Sequence, residues 1–561
     1  MTAATAPTAA PARARRLSDR QKGAIVFAVI AVAFALPLRG LLRSQGPPME
    51  EGFMLVFPER LLAGDFPNRD FLHLYGPGSV WILAGLYKLL GVSLTVERLF
   101  ALLQQVGVVA GVYLLARHWG RTIALSCALI SLVIIVPPIG LTALAWVGAV
   151  ALGLLGLAAA LQSRRSTGAR AHRFALGAGV LFGVALLFRL DLVLAIGLAS
   201  LVVLWKADRT TRVRMAGGFA LGLSPYVVHL ATAGVGNTVK GMILDPVIYL
   251  RGGRRLPIPP PWDHLDGFLQ RAGNLQQLGW PIPSLNTSQQ LFVWFFFLLG
   301  TVALLVFVAV RVLRADRTSF SGLILLAVAL FSVGLLPQAM QRVDSAHFAW
   351  VSCVPVAFLP IAVFEVLRRR GPGWSIRRRA LVSGGGVGVA LVLLIPYFTA
   401  RTYTDYTFQS FGHHRIAYAI EHRGRTFYYG RPDVARAANE LLPEVERITK
   451  PGDRLFVGPT DLRKTPYSDA YLYYLLPQLD PATYFIEMDP GVANRKGSRL
   501  ADDLRSADVA ILSSVWNDWD EPNDARKVGP DEPNRVLREQ FCLVGKFGKD
   551  GLYELYRRCD K

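Results

Sequence analysis

The feature that most constrains this chain is a series of apolar segments, each long enough to cross a lipid bilayer. A spanning helix needs about 20 predominantly apolar residues. Segments of about that length lie at 22–42, 96–116, 121–138, 141–161, 173–188, 190–205, 213–232, 289–312, 319–337, 347–367 and 379–398. Because 52% of the residues are hydrophobic and only 18% are charged, we predict a mainly α, polytopic membrane protein with about 11 transmembrane helices.

A further apolar stretch, at 77–92, could be a twelfth span or a helix lying along the interface. The positive-inside rule separates the two. If 77–92 does not cross, the strongly basic short loops all fall on the side of the N-terminal arginines; these loops lie at 117–121, 164–173, 206–214, 311–317 and 368–379. We therefore predict that 77–92 lies along the outer interface, that the N-terminus is cytoplasmic, and that the protein is a multi-pass protein of the plasma membrane.

The same loops explain the net charge of +21. Lys and Arg held in cytoplasmic loops, and next their attraction to anionic membrane lipid, account for such an excess in a membrane protein. Nucleic-acid binding is not expected, because the basic residues form short scattered clusters and not one continuous face.

This topology divides the chain into three regions. Residues 1–20 are predicted to be a disordered cytoplasmic tail, and 21–398 a transmembrane domain with outer loops at 43–95 and 233–288. Residues 399–561 are predicted to form an extracytoplasmic α/β domain, with strands at 453–459, 508–513 and 552–556 and helices near 432–448 and 467–476. No glycine-rich phosphate motif opens this domain, and we do not expect it to carry the chemistry.

Two of the four cysteines could form a disulfide. A two-residue turn at Asp550-Gly551 would place Cys542 directly opposite Cys559 on paired strands. A disulfide there would require an oxidising compartment; the alternative is two free thiols. Cys127 and Cys353 lie in apolar segments and are predicted to be small core residues.

The loop after the first apolar segment carries two adjacent acids, Glu50 and Glu51. Burial in hydrocarbon cannot explain them, because a charge there costs several kcal/mol. They could mark the membrane interface. Alternatively, one is a general base whose pKa is raised by its neighbour in a partly desolvated cleft, and the other holds a cation or a substrate hydroxyl.

A family resemblance starts at these acids. Glu50-Glu51-Gly52-Phe53 is followed by Ala63-Gly64-Asp65-Phe66, a Gly-Pro that opens an apolar stretch, Leu89-Leu90-Gly91-Val92-Ser93, Glu97-Arg98-Leu99 and Tyr113-Leu114-Leu115-Ala116-Arg117. Over about the first 120 residues this pattern resembles the GT-C membrane glycosyltransferases. The most similar branch holds the protein O-mannosyltransferases (glycosyltransferase family 39) and the lipid A aminoarabinose transferases.

In that family an acidic pair follows the first helix and an interfacial helix starts at a His/Lys-Pro-Pro motif. The chain has Glu50-Glu51 in place of the usual Asp-Glu, and Tyr75-Gly76-Pro77 in place of Lys-Pro-Pro. The first departure leaves the choice of base open between Glu50 and Glu51. The second leaves open which residue replaces the missing Lys in contacting the substrate, and Tyr75 is our candidate. Asp70 and His73 are predicted to shape the acceptor cleft.

Two further polar clusters lie at predicted outer turns. Arg342, Asp344 and His347 could bind a lipid phosphate, since an Arg fork suits that group; the alternative is an interfacial ion pair that caps a turn. Arg189 and Asp191 could also contact the phosphate, or could be an ion pair that locks two helices.

The resemblance implies an inverting glycosyltransferase with a polyprenyl-phosphate sugar donor, and Glu50 or Glu51 as its base. The sugar would be a pentose such as arabinofuranose, or mannose, transferred to a glycan, lipid or protein acceptor of the cell envelope. The sequence identifies no cofactor with certainty; the carboxylates could hold Mg²⁺ or Mn²⁺, but nothing in their spacing demands it. The alternatives are a flippase for a lipid-linked saccharide and a non-catalytic scaffold that binds cell-wall polymer.

Overall fold

The structure is a computed structural model that describes residues 18–205, 207–267, 270, 279–370, 373–414 and 417–559. Most of the predicted disordered tail, residues 1–17, lies outside this part of the chain. So do residues 268, 269 and 271–278 of the predicted outer loop at 233–288.

The described chain is dominated by long apolar helices. Seven of them are long and apolar enough to cross a membrane: Asp19–Leu41, Leu94–Trp119, Arg121–Ile139, Ala145–Arg165, Gly168–Phe188, Thr287–Ala315 and Phe320–Gln341. Three bent pairs raise the number to ten if each pair is one span: Arg209–Ala233 with Val235–Arg254, Ser345–Ser352 with Pro355–Arg369, and Ile376–Leu394 with Tyr397–Ser410. The remaining predicted span coincides with a shorter apolar helix, Leu190–Leu204. The predicted helical membrane architecture is confirmed.

In chain order, the α-helices before the C-terminal region are α1 (Asp19–Leu41), α2 (Pro48–Leu62), α3 (Gly78–Leu90), α4 (Leu94–Ala116), α5 (Arg121–Ile139), α6 (Ala145–Arg165), α7 (Gly168–Phe188), α8 (Val193–Leu204), α9 (Arg209–Leu223), α10 (Pro225–Ala233), α11 (Val235–Val239), α12 (Leu250–Arg254), α13 (Thr287–Ala315), α14 (Phe320–Gln341), α15 (Ser345–Ser352), α16 (Pro355–Arg370), α17 (Ile376–Leu394) and α18 (Thr402–Ser410). A π-helical segment, Lys240–Tyr249, joins α11 to α12.

The predicted loop at 43–95 is largely helical, which corrects our expectation for its first half. The helix α2 starts with Pro48 in its first turn, where a missing backbone N–H costs nothing. Glu50 and Glu51 also lie in that first turn, at the positive end of the helix dipole. The predicted interfacial stretch 77–92 is the helix α3.

Helix α2 is a core element that joins the membrane region to the C-terminal region. Its residues Phe53 and Phe57 are at most 1% exposed. On another face, a β-carbon added at Gly52 would lie 2.9 Å from the backbone nitrogen of Tyr471, so this helix approaches the C-terminal domain closely. The acids at its start are thereby held in a fixed position between the two regions.

The C-terminal region is an α/β domain, as predicted. A five-stranded sheet contains β3 (Arg454–Pro459), β4 (Asp480–Pro481), β5 (Val509–Ser513), β6 (Phe541–Phe547) and β7 (Tyr553–Arg558). The strand order is β4-β3-β5-β7-β6, in which β3 pairs in parallel with β4 and β5, and β7 is antiparallel to β5 and β6. A separate hairpin contains β1 (Tyr418–His422) and β2 (Arg425–Tyr429), and the helices are α19 (Pro432–Ile448), α20 (Tyr471–Leu475), α21 (Leu500–Arg505) and α22 (Glu532–Gln540).

A disulfide joins Cys542 on β6 to Cys559 just after β7, with Cα atoms 5.1 Å apart. The predicted register is wrong, however, because Cys542 pairs with Arg557. Residues 548–552 join the two strands in place of the predicted two-residue turn, and this moves the pairing by one position. An irregularity between Leu543 and Gly545 inserts an extra residue into β6 and moves it by one more. The two sulfur atoms therefore meet across a diagonal of the ladder.

Candidate active site

A cavity of about 410 Å³ lies where α2, α6, α12, α14 and α15 meet. The acidic and basic side chains in its wall are Glu50, Asp191, Arg189, Arg251, Arg254, Arg342 and His347, and Gln338 and Gln341 are further polar residues there. The rest of the wall is largely apolar or aromatic and includes Tyr75, Trp146 and Trp350. The cavity thus combines a strongly cationic wall with an apolar one.

Glu50 faces this cavity without a cationic partner. Its side chain is half-buried, and the buried Oε2 atom accepts no hydrogen bond from any described residue. Burial raises the pKa of Glu50 to about 7, against the opposing charges of Arg254 and Arg342. A carboxylate with a pKa near neutrality, open to a cavity, has the properties of a general base.

Glu51 is placed quite differently. It is fully buried and forms an ion pair with Arg98 of α4, with Nε 2.7 Å from Oε1 and Nη2 2.9 Å from Oε2. Arg98 also donates to the backbone oxygens of Leu41 and Ser44 at 3.0 and 2.9 Å. The pair therefore fastens the start of α2 to α4 and to the end of α1, and Glu51 does not line the cavity.

Arg189 and Asp191 form the predicted ion pair, and both line the cavity. Nε and Nη2 of Arg189 lie 3.1 and 2.6 Å from the two carboxylate oxygens of Asp191. The guanidinium also stacks on two aromatic rings, at 4.3 Å from the centre of Tyr75 and 5.3 Å from that of Trp146. Tyr75 therefore lies beside Arg189 in the cavity wall.

Arg342 is held by two carboxylates. Its Nε lies 2.9 Å from Oδ2 of Asp344, and its Nη1 lies 2.9 Å from Oε2 of Glu521, while Nη2 binds the other Glu521 oxygen. Asp344 also caps α15 and accepts a hydrogen bond of 2.8 Å from Nδ1 of His347. Burial alone would raise the pKa of Asp344, but His347 and Arg342 lower it to about 2. Arg342 and His347 line the cavity, and Asp344 lies behind them.

Arg254 is a cavity residue that the motifs did not identify as a site residue. It forms a buried ion pair with Asp489 of the C-terminal domain, and Glu487 lies 4.0 Å away. Its guanidinium lies 5.0 Å from the centre of the Tyr467 ring. Burial, and then the charge of the neighbouring Asp489, raise the pKa of Glu487 well above its usual value. The C-terminal domain thus contributes carboxylates directly behind the cavity.

Arg251, one helical turn before Arg254, has a different environment. It lines the same cavity but is exposed, and no carboxylate pairs with it in the described part of the chain. Arg189, Arg254 and Arg342 each have a carboxylate partner. Of the four arginines in this wall, Arg251 therefore has the charge most available to a ligand.

The two other predicted site residues lie outside the cavity wall. Asp70 is a turn residue that accepts hydrogen bonds from the backbone of Phe66 at 2.7 Å and from Arg69 at 2.8 Å. His73 is buried under Tyr75, with ring centres 5.7 Å apart, and burial lowers the pKa of its imidazole to about 3. Neutral at physiological pH, His73 supports Tyr75.

No group of three or more His, Cys, Asp or Glu side chains within the described residues has the arrangement of a metal site. The carboxylate of Glu51 is occupied by Arg98, so Glu51 cannot share a cation with Glu50.

No family model matches the chain, and no curated protein matches it either. Among solved structures, the chain is similar to ArnT from Cupriavidus metallidurans bound to undecaprenyl phosphate, with 14% identity, a TM-score of 0.49, and coverage of 96% of this chain and 98% of that one. It is also similar to the oligosaccharyltransferase of Archaeoglobus fulgidus in complex with Zn and sulfate, with 12% identity, a TM-score of 0.43, and coverage of 93% and 73%.

Proposed function

We propose that this protein is an inverting membrane glycosyltransferase that moves a sugar from a polyprenyl-phosphate donor to a hydroxyl of a cell-envelope acceptor on the outer face. The observation that carries the proposal is Glu50, an unpaired carboxylate that faces a cavity with four arginines in its wall. The N-terminal resemblance to GT-C enzymes supports the same reaction class.

In the proposed reaction, the Glu50 carboxylate accepts the proton of the acceptor hydroxyl. The hydroxyl oxygen forms a bond to the anomeric carbon as the bond from that carbon to the donor phosphate oxygen breaks. The polyprenyl phosphate leaves with the electron pair, and the configuration at the anomeric carbon is inverted. One carboxylate suffices for this step, which agrees with the sequestration of Glu51 by Arg98.

The arginines stabilise the leaving phosphate, whose negative charge grows as the bond breaks. Arg251 is proposed as its principal partner, because a guanidinium without a carboxylate partner gains most from a phosphate. Arg251 lies within the predicted outer loop at 233–288. The apolar wall, which includes Met242, Val247 and Met340, would accept the first prenyl units.

The donor sugar is proposed to be a pentose such as arabinofuranose, or mannose, on the family resemblance alone. The experiment is a membrane assay in which polyprenyl phosphates carrying labelled arabinofuranose or mannose are offered in turn to membranes that contain or lack the protein. Transfer of label to envelope material that depends on the protein supports the proposal. If no polyprenyl-linked sugar is consumed, the proposal is wrong.

A further inference from the structure

One segment of the C-terminal domain reaches back over the cavity. We call it the strap and define it as residues 514–531; its only helical turn in the structure is Asp524–Arg526. Nδ2 of Asn523 donates a hydrogen bond of 3.0 Å to the backbone oxygen of Arg255. A β-carbon added at Gly252 would lie 2.7 Å from Oδ2 of Asp524. The strap therefore packs against the short helix that carries Arg251 and Arg254.

The strap also places a carboxylate on a cavity arginine. Glu521 is 1% exposed and Arg342 is 2% exposed. The two oxygens of Glu521 meet Nη1 and Nη2 of Arg342, which is the bidentate fork that a guanidinium also offers to a phosphate. A phosphate and Glu521 cannot both occupy that fork.

The remaining contacts of both residues suit an exchange of partners. Arg342 keeps a separate bond from Nε to Asp344, so its guanidinium stays oriented if Glu521 leaves. Glu521 already accepts a hydrogen bond of 2.9 Å from Nδ2 of Asn523, within the strap itself. A buried carboxylate that loses its arginine would be costly without another donor, and Asn523 provides one.

We infer that Glu521 is a positioning residue that occupies the fork of Arg342 and gives it up to the donor phosphate, so that the strap sets the affinity for the donor. This inference rests on the proposed function. It assigns to the C-terminal domain a part in the chemistry that the sequence did not predict, because donor binding and strap position become coupled through one ion pair.

The experiment measures binding of undecaprenyl phosphate to the full-length protein in lipid nanodiscs, for the wild type and Glu521→Gln. Removing the competing charge should tighten binding on the order of tenfold. In a transfer assay the KM for the donor should fall while kcat does not rise, because product phosphate leaves more slowly. If Glu521 has only a structural role, Glu521→Gln should bind undecaprenyl phosphate no more tightly than the wild type. That result would overturn the inference.

Two further variants make the test specific. Asp520→Asn removes the neighbouring carboxylate, which pairs at the surface with Arg526, and should leave binding unchanged. Glu521→Asp keeps the charge but is too short to reach both nitrogens, so it should show a smaller gain, and it decides the matter if Glu521→Gln does not fold. If neither wild type nor variants bind undecaprenyl phosphate, the proposed function fails with the inference. If the wild type binds and no variant gains, only the inference fails.

Discussion

Glu51 and Arg98 form a buried bidentate ion pair, with the guanidinium 2.7 and 2.9 Å from the two carboxylate oxygens. This pair separates two adjacent residues of the same type. Glu51 has its charge balanced within the protein, while Glu50, one position earlier, keeps an unpartnered oxygen beside the cavity. The acidic pair is thus one structural residue and one candidate base.

Breaking the Glu51–Arg98 pair should destabilise the protein. Glu51→Gln leaves Arg98 buried without its counter-charge, which costs about 3–5 kcal/mol in comparable buried pairs. We expect a clear drop in the thermal unfolding midpoint of the detergent-solubilised protein. Glu50→Gln is the matched control: it removes an acid from the same helical turn, but one without an ion pair, and should not lower the midpoint. Equal midpoints for the wild type and Glu51→Gln would contradict this account.

Arg251→Gln should weaken donor binding and have little effect on the stability of the protein. Arg251 is exposed and has no carboxylate partner, so its loss removes a phosphate contact without leaving a buried charge. We expect the KM for the polyprenyl-phosphate donor to rise on the order of tenfold, the value of one charge-assisted contact. Arg255→Gln changes an equally exposed arginine that does not line the cavity and should leave the KM unchanged. The same KM for both variants would remove Arg251 from the site.

Transfer activity should rise with pH around neutrality. Burial raises the pKa of Glu50 to about 7, with Arg254 and Arg342 lowering it and Asp344 raising it. The base accepts a proton only when ionised, so kcat/KM should fall as the pH drops below about 7 and level off above it. A rate measured in membranes from pH 5.5 to 8.5 tests this. A profile that is flat over that range would argue against Glu50 as the base.

Asp469 should make the folded state less stable as the pH rises, whereas an acid held in an ion pair makes it more stable. Burial raises the pKa of Asp469 to about 6, although hydrogen bonds from Ser513, Trp516 and Tyr553 act against it. Because the folded pKa lies above the unfolded one, the folded state is favoured fully below about pH 4, and that contribution is lost as the pH rises through 6. Asp469→Asn should therefore gain about 3 kcal/mol of stability near pH 7 and flatten the dependence of stability on pH. Urea unfolding of the wild type and the variant at pH 5 and pH 7.5 measures this. If the free energy of unfolding changes with pH by the same amount in both proteins, the prediction is wrong.

The membrane helices could be predicted because hydropathy is a local property. The helix α2 could not, since residues 48–62 contain Pro48, Pro58 and several charges and carry no clear apolar period. It forms because its buried face packs against distant elements, as the closeness of Gly52 to Tyr471 shows. The predicted hairpin forms, but its turn is longer than two residues and its register differs, because neither the longer turn nor the irregularity in β6 has a clear signature in the sequence.

The candidate site was predictable where its chemistry is local. The acidic pair of Glu50 and Glu51 stands out because burial in hydrocarbon cannot explain two adjacent carboxylates beside an apolar segment. Its division into two roles depends on Arg98, which is 47 positions from Glu51. The charged pair Glu97-Arg98 at the start of an apolar span could have indicated that Glu51 has a partner there. Glu521, 179 positions from Arg342, has no such signal, because only the fold brings the strap to the cavity.

The central claim is that Glu50 is the base of sugar transfer, and Glu50→Gln tests it most directly. The assay follows a labelled polyprenyl-phosphate sugar in membranes that contain equal amounts of folded wild-type or variant protein. The substitution keeps the size of the side chain and removes its ability to accept a proton, so kcat should fall by at least about 100-fold while undecaprenyl phosphate still binds. Transfer at the wild-type rate by the folded variant would contradict the account.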